Sequence, residues 1–201
     1  MESNWIRTNT GYINTGWINP SNFSIYIHYK SMDSLTGYTP IFGGRTSTSS
    51  TDGIVIWRAS STTFRIDIGT NNKTINASSS GEHEITLTAN NSNITFKVDD
   101  NTTNWTASVA SGAFPSYLCN VNTNGSKDNH AGDYQIYSCK IWSDGTLVRD
   151  YVPATNNGNY VLRDNVNQTI YTGIDGIFSG SFNKASFWVK KEGIWKQIYQ
   201  V

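Results

Sequence analysis

Apolar and polar residues alternate with a period of two in one short run after another, and that period suits half-buried strands rather than amphipathic helices. Phe23, Ile25, Ile27 and Tyr29 alternate with Ser24, Tyr26, His28 and Lys30. Phe64, Ile66 and Ile68 alternate with Thr63, Arg65 and Asp67, and Ile94, Phe96 and Val98 with Thr95, Lys97 and Asp99. Ile85 and Leu87 continue the pattern, with Asn90-Asn91-Ser92 as the hairpin loop leading to the Ile94 run. No segment carries i, i+3, i+4, i+7 spacing over enough residues for a long helix, so at most one or two helical turns are expected. Runs recurring about every ten residues between Gly, Asn, Asp and Ser clusters predict an all-β fold, a two-sheet antiparallel sandwich in preference to a barrel.

The sharpest hairpin lies in Ile136–Ala154, IYSCKIWSDGTLVRDYVPA. Asp144-Gly145 supplies the positive φ angles of a tight turn, Tyr137, Cys139 and Ile141 read as one core face, and Pro153, which has no N–H, marks where pairing stops. Loops are expected from Gly43-Gly44 to Asp52, at Asn71-Asn72, from Thr123 to Gly132 and from Thr155 to Asn159. A second hairpin closes the chain, with Phe187, Trp188 and Val189 before a turn through Lys191-Glu192-Gly193 and Ile194, Trp195, Ile198 and Tyr199 after it. A lone two-stranded hairpin is marginal in water, so Trp188, Trp195 and Tyr199 are expected to pack on the sandwich or on a partner chain. The expected division is a sandwich over 1–183 and this aromatic hairpin over 184–201.

Charged residues make up only 15% of the 201, against 13% aromatics, where an average soluble domain carries about 25% charge. Solubility then falls to Asn, Ser and Thr, which favour turns and strands over helix interiors. The 15 basic and 15 acidic side chains cancel, leaving no basic stripe for phosphates, so no nucleic-acid partner is expected. No apolar run reaches the roughly 20 residues of a spanning helix. The opening MESNWIRTNT has neither the basic end nor the apolar core of a signal peptide, which predicts a soluble protein made inside a cell, without membrane insertion. If Asn122 and Asp133 end a hairpin, Cys139 faces Ser116 rather than Cys119, and two buried free thiols are expected rather than a disulfide. The sequons at Asn76, Asn101 and Asn104 follow from an Asn- and Thr-rich composition.

Ile136–Ala154 resembles the closing strands of concanavalin A-like (laminin-G-like) sandwich domains of bacteriophage tail, fibre and head-fibre virion proteins. GYINTGWINPSN at 11–22 is similar to an opening strand of that family, PIFGGRTSTSS at 40–50 to its glycine-arginine loop, and YLCNVNTNGS at 117–126 to a further landmark. The final Trp188-to-Lys196 segment resembles hairpins that close many phage structural proteins. The first four landmarks occur in the family's order and cover most of residues 5 to 180. The resemblance implies a concanavalin A-like jelly roll with a C-terminal β-hairpin, and a multicopy or homo-oligomeric virion protein made in the bacterial cytoplasm. Its members include glycan-binding modules, adhesins and structural parts. Attachment to a host-surface glycan is therefore the leading expectation, and assembly with other virion proteins, without sugar binding, the alternative.

Sugar recognition needs a flat aromatic for the apolar face of a ring and amide, carboxylate or guanidinium groups for its hydroxyls. Arg45 lies in the GGRTSTSS loop, Trp57 and Arg58 follow it, and Asn122, Asn124, Asp128 and His130 belong to the other long loop. These seven are the candidate glycan-binding residues. Trp57 faces away from Ile54 and Ile56, so it is an exposed platform if that face is wet and a core residue if Val55 and Trp57 are the buried face.

Some concanavalin A-like sandwiches cleave glucans with Glu-x-Asp-x-x-Glu on one strand, chemistry that needs two carboxyl groups about 5–5.5 Å apart in a retaining enzyme. Here Asp67 has Arg65 two residues before it and Gly69 two after, and Glu82 and Glu84 merely bracket His83 at a strand start. No catalytic residue is assigned, and the protein is expected not to be an enzyme. His28, His83 and His130 lack metal-ligand spacing. The resemblance implies calcium on loop oxygens, which Asp128 and Asp133 could offer, with a polar hairpin loop as the alternative; no cofactor is assigned.

Overall fold

The computed structural model describes residues 4–34, 37–49, 52–176, 178–182, 186–191 and 194–199, with side chains described as far as 182. Strands in chain order are β1 (Trp5–Arg7), β2 (Ile13–Asn14), β3 (Phe23–Ser31), β4 (Thr39–Arg45), β5 (Ile54–Ser60), β6 (Thr63–Ile68) and β7 (Asn71–Asn76). Next come β8 (Glu82–Asn90), β9 (Asn93–Val98), β10 (Asn101–Thr106), β11 (Tyr117–Leu118), β12 (Asn122–Thr123) and β13 (Ser126–Lys127). The remainder are β14 (Tyr134–Ser143), β15 (Thr146–Asn156), β16 (Asn159–Asp164), β17 (Ile170–Tyr171), β18 (Ser179–Ser181), β19 (Ser186–Lys191) and β20 (Ile194–Tyr199). The described residues contain no helix.

Two sheets take nearly all of these strands. The larger runs β10-β9-β8-β3-β14-β15-β16-β17, with β1 on β14 and β18 on β1; the smaller runs β13-β12-β4-β5-β6-β7, with β11 on β4 and β2 on β11. Among the described residues every strand pairing is antiparallel except β12 on β4. The alternation then does what its period dictates. Phe23, Ile25, Ile27, Tyr29, Ile85, Leu87, Ile94, Phe96 and Val98 of the larger sheet meet Ile54, Ile56, Phe64, Ile66 and Ile68 of the smaller in one buried core. The Asn91 turn (φ 56) and the Asp144-Gly145 turn (φ 49 and 80) adopt the left-handed conformations expected of tight hairpins.

Several expectations are corrected by register. Tyr137 is not on the core face: a bulge between Ile136 and Ser138 leaves it as the extra residue, so that Ile136, Cys139 and Ile141 point inward while Tyr137 stacks on His28 with ring centroids 4.4 Å apart. Pro153 does not end its strand. Pairing with β14 ends at Tyr151, opposite Cys139, while pairing with β16 runs through Pro153, opposite Leu162, to Asn156. The proline therefore closes one side of β15 only, and the expected loop from Thr155 contracts to the Asn157-Gly158 turn.

Gly43 and Gly44 lie inside β4 because the backbone is crowded there: a Cβ on Gly43 would sit 2.6 Å from the Ile54 carbonyl oxygen. The turn expected at Asn71-Asn72 falls at Gly69-Thr70, and Asn71 already pairs with Ile68. Asn122 and Asp133 do not end one hairpin: Asn122 pairs with Gly44 and Lys127 in the smaller sheet, whereas Asp133 leads into β14 of the larger. Part of the expected Thr123–Gly132 loop is thus strand, in β12 and β13. Cys119 and Cys139 are buried free thiols. β19 and β20 pair with each other as a separate two-stranded sheet; the packing expected of Trp188, Trp195 and Tyr199 lies outside the residues whose side chains are described.

Candidate functional site

Adjacent residues of a strand face opposite ways, and β5 divides the expected sugar site accordingly. Arg58 follows Ile54 and Ile56 into the interior and is only 1% exposed. Its Nη1 donates to Asp33 Oδ1 at 2.5 Å, its Nε donates to the Ser79 carbonyl at 3.0 Å, and its guanidinium lies over the Tyr134 ring. Arg58 is thus a buried structural cation, out of a ligand's reach.

Trp57 faces away from the main core, yet it is not an open platform. At 6% exposed it packs with Val55 and Val121 in a small second cluster on the outer side of the smaller sheet. Tyr38 meets the indole edge-on at 6.0 Å and Arg45 covers it at 5.4 Å. The Trp57 Nε1–H donates to Asp67 Oδ2 at 2.8 Å, and Asp67 Oδ1 accepts from Arg65 Nε at 2.6 Å.

Arg45, at the end of β4, stands in register with Thr123, to which its Nε donates at 3.2 Å, and 3.7 Å from Asp128. Asp128 also accepts from His130, whose ring is exposed. Asn122 is buried, donating to the Pro115 carbonyl at 2.8 Å and accepting from the Gly125 N–H at 2.8 Å, while Asn124 sits in the exposed turn with φ 53. The structure therefore gathers Arg45, Trp57, Asn122, Asn124, Asp128 and His130 on or beside one face, but Trp57 and Asn122 serve as its framework. Asp133 is occupied elsewhere, bound by Arg7 at 2.6 Å, so Asp128 and Asp133 do not form one oxygen cage. Among the described residues, no group of three or more His, Cys, Asp or Glu side chains is placed to hold a metal.

An open cavity of about 760 Å³ lies on the outside of the larger sheet. Register explains its lining. Ser24 is paired with Thr88 on one side and Trp142 on the other, and one step along the strand Tyr26 is paired with Thr86 and Lys140. Two loops close one end: Asn22 Oδ1 accepts from the Asn91 N–H at 2.6 Å, and the Asn22 carbonyl accepts from the Asp144 N–H at 3.1 Å. The Asp144-Gly145 turn thereby becomes a wall of the groove.

Trp142 is half-buried and makes no hydrogen bond or ring contact among the described residues, so part of its indole is open to the cavity. Tyr26 is held through its hydroxyl by Glu84 and Ser138; burial first, then the Glu84 charge, pushes its pKa up to about 12. Lys140 and Asp144 are the charged groups of the lining. Sequence reasoning passed over Trp142, although Cys139 and Ile141 on the core face put it on the opposite one.

The remaining acidic candidates are dispersed. Asp67 is engaged by Trp57 and Arg65, Glu82 Oε1 lies 2.7 Å from His28 Nε2, and Glu84 is at the Tyr26 hydroxyl.

Two antiparallel sheets packed as a jelly roll define a concanavalin A-like sandwich, and solved structures bear out that class. The chain is similar to a NanB sialidase from Streptococcus pneumoniae, at TM-score 0.55 and 11% identity over 73% of this chain and 26% of that one. It is also similar to domains LG4-5 of mouse laminin alpha1, at TM-score 0.53 and 12% identity over 73% of this chain and 44% of that one. A third similar structure is the CBM40 of a Ruminococcus gnavus IT-sialidase bound to alpha2,3 sialyllactose, at TM-score 0.49 and 10% identity over 63% of this chain and 78% of that one. The chain thus spans less than half of the sialidase and laminin chains that it matches. No protein-family model matches it, and neither does any curated protein sequence.

Proposed function

We propose that the protein is a non-catalytic carbohydrate-binding module whose ligand lies in the Trp142 groove. The observation that carries this reading is an open indole set within a fringe of hydroxyls and amides from Ser24, Thr86, Thr88, Asn22 and Asn90. A sugar ring offers an apolar C–H face to the indole and a rim of hydroxyls to the fringe. The lining holds a single carboxylate, Asp144, where glycoside hydrolysis uses two, which supports binding over cleavage. A sialidase among the structural neighbours is in keeping with a sugar ligand. In our reading the module sits on a bacteriophage virion and attaches it to host-surface carbohydrate, with weak single sites strengthened by several copies. The sequence resemblance alone supports that setting.

The test is binding of the purified chain to a glycan array and to host cells, repeated with Trp142→Ala. Binding lost without loss of folding is the expected result. Unchanged binding by that variant, or none by the multimerised wild type, rejects the reading. Release of reducing sugar from a bound glycan would replace binding with hydrolysis.

A second reading, assembly onto other virion proteins without sugar binding, is favoured by β19 and β20 pairing only with each other among the described strands. It expects copurification with a capsid or tail protein that is lost when residues 184–201 are removed.

A further inference from the structure

We propose a second, anion-selective site on the opposite side of the sandwich: a groove of about 260 Å³ that takes the carboxylate or sulfate group of an acidic glycan between Arg45 and Arg65. It stands apart from the Trp142 groove, since one lies outside the smaller sheet and the other outside the larger.

Three features of the groove converge on an anion. The first is charge. Its lining carries two guanidiniums, Arg45 and Arg65, against one carboxylate, Asp67, while a second carboxylate, Asp128, stands outside the lining 3.7 Å from Arg45. In the Trp142 groove Lys140 and Asp144 cancel. Both Asp67 oxygens are already engaged, by Trp57 Nε1 and Arg65 Nε, so the carboxylate braces the site rather than closing it.

The second is the state of Arg45. Its Nε is used by Thr123, but Asp128 stands 3.7 Å from Nη2, beyond hydrogen-bond length, and most of the remaining N–H donors have no acceptor among the described residues. Its side chain is only 11% exposed. Burial lowers its pKa, Asp128 and Asp67 raise it, and Arg65 lowers it again. A partly desolvated cation beside a like charge gains from an incoming oxyanion, and a guanidinium fork matches carboxylate and sulfate geometry.

The third is the wall. Thr70, Asn71 and Asn72 line the groove beside Asp67 with short polar side chains, Asn71 and Asn72 being exposed, and these suit the hydroxyls around an acidic substituent. Trp57, covered as it is, positions both cations, holding Arg45 over its ring and Arg65 through the Nε1–Asp67 link. A nucleic acid is the less favoured anion because the chain's charges cancel and the groove accommodates one substituent rather than a phosphate track.

The experiment is NMR titration of the isotope-labelled full chain with glucuronate, glucose 6-sulfate, glucose, inorganic sulfate and a short oligothymidylate. Glucuronate or glucose 6-sulfate should shift the Arg45 and Arg65 Nε–H signals and the Thr70–Asn72 amides, where glucose does not, and the stronger of the two identifies the natural acidic group. Added salt should weaken the binding, and R45Q/R65Q should weaken it about tenfold or more while leaving the Trp142 amide environment unchanged.

The proposal is overturned if neither acidic sugar shifts these signals, if glucose does so equally, or if the double variant binds as the wild type does. Inorganic sulfate binding as tightly as the sugar acids would reduce the groove to a bare anion site, and tighter oligothymidylate binding would make it a nucleic-acid site; either result also overturns it. Should the double variant fail to fold, the wild-type titrations decide. Loss of glycan binding at Trp142 leaves this proposal intact, because the two sites share no residue.

Discussion

Trp57 and Trp142 both point outward from their sheets, and they could hardly be placed more differently. Trp57 is locked by Tyr38, Arg45 and Asp67 on the outside of the smaller sheet. Trp142 lies half-open across the groove of the larger sheet, with hydroxyl-bearing neighbours and no ring against it among the described residues. Pointing away from the core therefore does not make an aromatic a ligand platform. What distinguishes the two is whether neighbouring strands supply side chains long enough to cover the ring. Tyr38 and Arg45 reach over Trp57, whereas no ring or guanidinium among the described residues lies over Trp142, whose register partners are Ser24 and Leu147.

The contrast can be broken most directly through stability. Trp57→Ala empties a closed cluster and is expected to cost about 3 kcal/mol or more. Trp142→Ala is expected to cost well under half of that, and urea unfolding of the two variants side by side would expose equal costs. In binding the order should reverse: Trp142→Ala should weaken glycan affinity about tenfold, or ~1.4 kcal/mol, when titrated by tryptophan fluorescence or calorimetry.

Trp57→Phe sharpens the point at smaller scale. It keeps a ring beneath Arg45 but removes the donor to Asp67, for an expected cost of about 1 kcal/mol. A neutral result would mean that covering, not the hydrogen bond, fixes the indole.

The smallest effect concerns Tyr26, the second ring of the open groove. Its phenol titrates near pH 12 in the folded chain rather than at 10.0. Between those values the folded state holds more proton than the unfolded one, so stability falls as pH rises from about 10 to 12. Tyr26→Phe, which cannot ionise, should lose less stability over that window than the wild type in unfolding curves at pH 8, 10 and 11. Parallel losses would show that the groove does not hold the phenol neutral.

Period two made much of the sandwich legible: the inward residues of β3, β6, β8 and β9 and the turns at Asn91 and Asp144-Gly145 could be read directly. It also held the sidedness of Arg58, because 54, 56 and 58 share a face, so Trp57 and Arg58 could never have met one ligand together. The bulge at Tyr137 was not legible, since an inserted residue changes no composition and shifts the phase only relative to a partner strand. The Trp142 groove depends on β3 lying between β8 and β14, a pairing among segments far apart in sequence. The cover over Trp57 depends in the same way on Tyr38 and Arg45 arriving from β4 and the segment before it.

The central place of β3 in the larger sheet also bears on how the chain comes to be folded. This strand, Phe23–Ser31, is synthesised before both of its neighbours, Glu82–Asn90 and Tyr134–Ser143. Its second edge must wait until residue 143 has left the ribosome, and closing so long a loop is slow compared with forming a local hairpin. Until then the unpaired backbone edge of β3 is open to any passing strand. A chain cut short before β14 should therefore aggregate rather than yield a smaller sandwich.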